Sequence, residues 1–397
     1  MRAPLSRPTA AVGVCVGAVL VLAGCLQGSS PQPTETSAVV APPTKTAPPD
    51  PPSSPPLPPS AAQLVKGTTI AGAISPKSVV ASGHGLFVAQ NMMYRHTVTV
   101  YDDQFELVAT IADSVDLSQF GYPQYPGISR GAPVEAAFMP DGKHVYVSNY
   151  GMYGTGHGRE GSDTCSTSDP LTASFVYRID METFEIDQVI EVGKVPKFLA
   201  VSPDGKRLLV SNWCSFNLSV IDTATQETVR TVDMQKWPRG IAVSPDSKTA
   251  YVAAFGSSDV AIVDIATGDT QWIKDVGRAT RHVNVSPDGQ FLYVTCASAN
   301  HVAKIDLEAP GGPAVVARLN TGKEPRSATL ASDGLHLYVV NYDVNTVAVV
   351  DTTTMTVTQT LPTGHHPIGI TYDPQTANVW VASYSGTIVV FEPADTP

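Results

Sequence analysis

A chain of 397 residues, 43% hydrophobic and only 15% charged, has the material for a large core. Its 31 glycines and 33 prolines favour many turns over long helices. The formal net charge of −11 argues against a nucleic-acid partner, and no stretch beyond residue 30 is apolar for long enough to cross a bilayer as a helix.

Arg2 and Arg7 open the chain and residues 10–22 form a short apolar run, the pattern of a targeting segment. The run ends in Leu22-Ala23-Gly24-Cys25. That tetrad resembles the lipobox of bacterial lipoproteins. The resemblance implies that residues 1–24 are a signal peptide, that cleavage falls before Cys25, and that the Cys25 thiol carries a diacylglycerol with palmitate-type chains. At roughly 0.8 kcal/mol per buried CH₂, such chains would hold the protein at the extracytoplasmic face of a cell membrane. Residues 28–60 contain twelve prolines and almost no large apolar side chain. Residues 25–60 therefore read as the lipidated cysteine and an extended stalk, rising about 3.1 Å per residue where polyproline II persists. Cleavage would remove two arginines and no acids, leaving 23 basic against 36 acidic residues, a net charge of −13.

Residues 61–397 are repetitive. "VSPDGKRLLVSNWCSFNLSVID" (201–222), "VSPDSKTAYVAAFGSSDVAIVD" (243–264), "VSPDGQFLYVTCASANHVAKID" (285–306) and "LASDGLHLYVVNYDVNTVAVVD" (330–351) share one pattern. "FMPDGKHVYVSNY" (138–150) opens a fifth copy, and residues 81–102 and 371–392 are degenerate copies. Pro196, Pro238, Thr280, Pro325 and Pro367 step through the chain at 42, 42, 45 and 42 residues. Each unit predicts four short strands, a to d, with β-branched and aromatic residues in the strands and Gly, Asp, Asn and Pro between them. Four-stranded units of this period build propeller blades.

"YVSN", "YVTC" and "YVVN" following the Pro-Asp-Gly turns resemble the YVTN repeat family of seven-bladed β-propellers, over about residues 62–392. The resemblance implies an all-β, seven-bladed ring of four-stranded antiparallel blades and leaves the activity open. Family relatives include binding proteins, surface-layer proteins and a few enzymes. The last copy stops after strand c, whereas "LVKGTTI" (64–70) is a spare strand ahead of the first copy. Pairing the two would close the ring and remove an exposed edge.

Asp102, Asp180, Asp222, Asp264, Asp306, Asp351 and Glu392 end strand c in all seven copies. A ring of acids suggests a metal, but each precedes a turn whose backbone N–H groups an Asp can accept, so a structural role is expected. Two insertions stand out. Fifteen extra residues lie between blades 1 and 2, and 21 extend the b–c loop of blade 2. Both should rise on one face beside one blade, where long loops are usually functional.

The insertions also carry deceptive motifs. "GHGREG" (156–161) fits a phosphate cradle and "GISRG" (127–131) a nucleophile elbow, but neither has the strand–turn–helix setting those devices need. His157, Glu160 and Asp163 have the chemistry of cation ligands or of a solvated loop. Tyr122, Tyr125, Tyr150 and Tyr153 suit a binding surface or the internal packing of the loops. On the same face, the position after each inner-strand Pro or its equivalent is Lys77, Val134, Lys197, Arg239, Arg281, Arg326 or Ile368. Five cations around the channel mouth of an acidic domain predict an anionic ligand, unless they are solvated strand ends or paired to nearby acids. Cys165 and Cys214 fall in neighbouring b–c loops and are expected to form a disulfide, and Cys296 to stay free.

The sequence thus reads as a monomeric, membrane-anchored propeller that binds or scaffolds a cell-envelope protein or anionic ligand, with no cofactor, metal or nucleic acid. No complete set of base, nucleophile and metal ligands supports catalysis. A propeller enzyme of lactonase, lyase or quinoprotein type and a surface structural protein stay open as alternatives.

Overall fold

A computed structural model describes residues 57–394. The expected signal peptide, Cys25 and nearly all of the expected stalk lie outside these residues. Seven antiparallel sheets follow one another around a ring. Blade 1 runs through Ser78–Ala81, Leu86–Asn91, Thr97–Asp102 and Leu107–Ala112, from the channel outward. Blades 3 to 6 repeat this order, with innermost strands Pro196–Val201, Pro238–Val243, Thr280–Val285 and Pro325–Leu330.

The repeated words of the sequence are hydrogen-bond devices. In blade 3 the Ser202 hydroxyl donates to Asp204 at 2.6 Å and accepts from the Arg207 amide at 3.0 Å. Asp204 also accepts from the Lys206 amide, while Gly205 takes the left-handed φ of 72° that the turn requires. Blade 4 uses Ser244, Asp246 and Thr249 in the same way, and blade 5 uses Ser286, Asp288 and Phe291. The strand-ending acids make the second device. Asp222 accepts from the Ala224 and Thr225 amides at 2.9 and 3.1 Å, and Asp180, Asp264 and Asp351 accept two amides each from the same offsets. Their role is structural, as expected.

Faces of adjacent blades bury the apolar strand positions between them. Leu208, Val210 and Ile221 of blade 3 pack on Tyr146, Val176 and Ile190 of blade 2. Blade 7 consists of Pro367–Tyr372, Val379–Ser383 and Thr387–Pro393, completed on the outside by Leu64–Ala71 from the start of the domain. Leu64 pairs with Pro393 and Ile70 with Ile388. Leu64 is only 1% exposed, and burial of such a side chain stabilises by about 1.5–3 kcal/mol. The Gln359 side chain of blade 6 bonds both the amide and the carbonyl of Leu64, at 2.8 and 2.9 Å.

Blade 2 departs from the four-stranded expectation. The first insertion folds into a three-residue strand, Ser114–Asp116, and a short 3-10 helix, Leu117–Phe120. That strand pairs with the lengthened inner strand Ile128–Phe138, which pairs in turn with His144–Tyr153. The sheet therefore has five strands. Arg130 pairs with both Ser114 and Tyr153, so the two insertions grow from one extended hairpin.

Candidate functional site

The channel mouth on the b–c loop face is assembled by one repeated contact. The residue before each inner strand is left-handed in blades 3 to 7, as at Val195, Trp237, Ala279, Glu324 and His366, with φ between 53° and 61°. Its carbonyl accepts from the first amide of the b–c loop: Trp213, Phe255, Ala297, Tyr342 and Tyr384, at 3.0–3.1 Å. Each clip brings two side chains together at the mouth, the residue two beyond the left-handed position and the residue that opens the loop. The first set holds the cations. The second is Trp213, Phe255, Ala297, Tyr342 and Tyr384, four of them aromatic, and Tyr150 within the long blade 2 strand adds a fifth ring to this collar.

Lys77, Lys197 and Arg239 are only 6%, 6% and 5% exposed, so they are not solvated strand ends. Two of the five cations have acid partners. Lys197 is ion-paired with Asp163. Arg326 donates twice to Glu324, at 2.8 and 2.5 Å, and lies 3.4 Å from the centre of the Tyr342 ring. Among the described residues, Lys77, Arg239 and Arg281 have no ion pair, and Arg281 Nε is buried without a hydrogen-bond partner. Partial compensation comes from ring faces: Lys197 lies 4.4 Å from Trp213 and 4.8 Å from Tyr150, and Arg239 lies 5.8 Å from Trp213.

The electrostatics follow from that crowding. Burial, then repulsion from Arg239, holds Lys77 well below the usual lysine range, against the pull of Glu135. Burial and Arg239 push Lys197 down to about 7, with Asp163 opposing them. Arg281 is lowered by burial and by Arg239 and Arg326. His282, one residue deeper, is pushed down to about 3 by burial and the same cations, and stays neutral. Burial raises Glu135 although Lys77 and Arg239 favour its charge. Unpaired buried cations cost several kcal/mol each, and an anion in the mouth would offset that cost.

The insertions contribute less to the mouth than their length suggests. Of the four tyrosines only Tyr150 meets the cations. Tyr122 packs edge-on against Phe175 and accepts from the Glu191 amide at 3.0 Å. Tyr125 stacks on His157 with ring centres 4.4 Å apart. His157 Nε2 shares a hydrogen bond of 2.9 Å with Ser129 of the "GISRG" stretch, but Ser129 is buried and His157 has no orienting acid among the described residues. Tyr153 packs on His96, and burial with Glu160 pushes its phenol up to about 12. His157, Glu160 and Asp163 thus disperse to three different contacts. Cys165 and Cys214 do form a disulfide, which sits in an apolar cluster with Val134, Leu171, Val195 and Trp213. Cys296 is free and buried, and burial pushes its thiol up to about 12.

On the opposite face His144, Asp180 and Asp187 lie close enough to hold a cation. Asp180 already accepts two backbone amides, and Arg178 donates twice to Asp187, at 2.9 and 2.8 Å. Sequence reasoning overlooked Glu135, Glu324, His282 and the collar. A signal for the collar was present: the residue after strand b is aromatic in five of seven blades, at Tyr150, Trp213, Phe255, Tyr342 and Tyr384.

A family model described as lactonase, 7-bladed beta-propeller, matches residues 223–360, from the end of blade 3 through blade 6. No curated protein matches the chain. Among solved structures, Kuenenia stuttgartiensis hydrazine synthase aligns with a TM-score of 0.63 at 22% identity, covering 84% of this chain and 99% of that one. Because 1715 solved chains match, likeness of this kind establishes architecture and leaves chemistry to the site. The chain is a seven-bladed β-propeller, similar across its middle blades to the lactonase propellers.

Proposed function

We propose that this protein is a lipoprotein of the YVTN-repeat type, tethered through Cys25 at the extracytoplasmic face of a membrane, that binds an anionic ligand at the channel mouth. The ligand is a small anion or an acidic segment of an envelope protein. The observation that carries the reading is the partner account of the five cations: Lys77, Arg239 and Arg281 are held in the mouth without acid partners among the described residues. A protein that keeps such charges at a cost to stability has a use for them in the bound state. A thermal-shift screen of phosphate, sulfate and citrate against the domain, with Lys197, Arg239, Arg281 and Arg326 all changed to Gln as the control, tests it. Anions that bind the native state should raise the melting temperature of the wild type only. Equal shifts in both proteins would place binding elsewhere.

The match to a lactonase model favours a second reading, ester-ring hydrolysis in the same mouth. Lys197, at about 7, is the group there able to move a proton near neutral pH, with Glu135, raised by burial, beside the same cations. A lactone panel that yields turnover lost in Lys197→Met would favour it over simple binding.

A further inference from the structure

Asp163 reaches the mouth from the b–c loop of blade 2, residues 154–173, and that loop is fastened unusually well for an insertion. Cys165 is bonded to Cys214. The Trp237 indole donates to the Cys165 carbonyl at 3.0 Å, and the Tyr150 hydroxyl donates to the Gly161 carbonyl at 3.3 Å. Lys194 donates to the carbonyls of Thr167 and Asp169 at 3.2 and 3.0 Å. Gly161 approaches so closely that a Cβ there would lie 2.3 Å from Val195 Cγ2. All of these anchors belong to blades 2, 3 and 4, and of the acids in the loop it is Asp163 that pairs with a mouth cation. The Asp163 side chain is itself 76% exposed, while the Lys197 side chain it pairs with is 8% exposed. Burial would raise the Asp163 carboxyl, but Lys197, then Arg239 and Arg281, outweigh it and hold the group below the usual range.

We propose that Asp163 is a built-in carboxylate occupant of the mouth, held over Lys197 by the Cys165–Cys214 bond, and that an external carboxylate must displace it to bind. The inference rests on the anion-site reading and adds two things to it. The ligand class is a carboxylate, because that is the group the protein itself presents to Lys197. The affinity is set by the loop, because displacement swings out one solvent-facing side chain while the cations stay in place. An internal competitor at high effective concentration weakens an external one without touching its contacts.

Citrate is the probe, titrated by calorimetry at pH 6, where Lys197 of the wild type carries its proton, into the wild type, Asp163→Asn, and a Cys165→Ser/Cys214→Ser double variant. Asp163→Asn should bind citrate about 2- to 5-fold tighter, the scale of one lost ion-pair competitor. The double cysteine variant should gain less, because Asp163 is then loosened but still present. Combining all three changes should add nothing beyond Asp163→Asn alone. A second readout needs no ligand: mass-spectrometric labelling of the Lys197 amine should rise severalfold in Asp163→Asn. Citrate bound equally by wild type and Asp163→Asn, or unchanged labelling of Lys197, would overturn the inference and leave the anion site standing. Citrate bound by neither protein would sink the anion site and the inference together.

Discussion

The two faces of this ring carry two rings of charge, and the molecule treats them oppositely. On one face an acid ends strand c in every blade; on the other a cation follows the inner-strand entry in five of seven. Both recur with the blade period and both look like ligand sets. The acids are spent. Asp180, Asp222, Asp264 and Asp351 each accept two local amides, and those bonds hold their carboxyls below the usual range. The cations are buried or half-buried, crowded and in three cases without an ion pair. Recurrence therefore says which positions the blade geometry repeats, and only the count of partners says which of them are free to act.

The comparison depends on a closed ring, and opening it should have the largest effect. A domain beginning at residue 72 lacks Leu64–Ala71, exposes the edge of Thr387–Pro393 and loses the Gln359 clamp on Leu64. Its melting temperature should fall by roughly 10 °C or more relative to a domain beginning at residue 57, by differential scanning calorimetry. An unchanged value would mean that the first strand is dispensable and that neither face relies on closure.

The next effect separates the faces by sign. Lys77→Met removes a buried unpaired charge and should raise the melting temperature at pH 7 by a few degrees, since apolar replacement of buried ions is often stabilising by about 1–4 kcal/mol. Lys197 extends the point to pH. Its folded value of about 7 lies below its unfolded value near 10.5, so the unfolded chain binds more protons between them. Stability should therefore climb as pH rises from about 7 toward 10, with the full penalty present below about 7. The strand-ending acids act at the other extreme. The folded values of Asp180, Asp222, Asp264 and Asp351 are lowered, so their contribution is present above the unfolded value and lost as pH falls through the folded one. A flat melting temperature between pH 7 and 9 in the wild type would show that the mouth lysines are solvated after all.

The smallest effect belongs to the acid ring. Asp222→Ala should lower the melting temperature by about 1–2 °C and leave anion binding untouched, because the residue caps a solvent-exposed turn. A loss of binding with this variant would put function on the wrong face.

The fold was legible because its signals are local. Ser-Pro-Asp-Gly and the strand-ending Asp each satisfy amides within five residues, so the bonding is written in consecutive letters. The cation ring was half legible: the period located Lys77, Lys197, Arg239, Arg281 and Arg326, but their burial arises only when seven blades converge. Glu135 and His282 were overlooked because each occurs once, one position deeper than the periodic cations. For Tyr122 and Tyr125 the sequence left a binding surface and internal packing both open, since loop length carries no information about the direction in which a loop folds; both rings meet Phe175 edge-on. Cys165 and Cys214 were readable because neighbouring loops of a ring leave few other partners.

Calorimetric titration of citrate into the wild-type domain and into the protein with Lys197, Arg239, Arg281 and Arg326 all replaced by Gln tests the central claim most directly. The account predicts one saturable site in the wild type, weakened by added salt, and no measurable heat in a replaced protein that melts at least as high. Equal binding by the two folded proteins, or binding by neither, would contradict it.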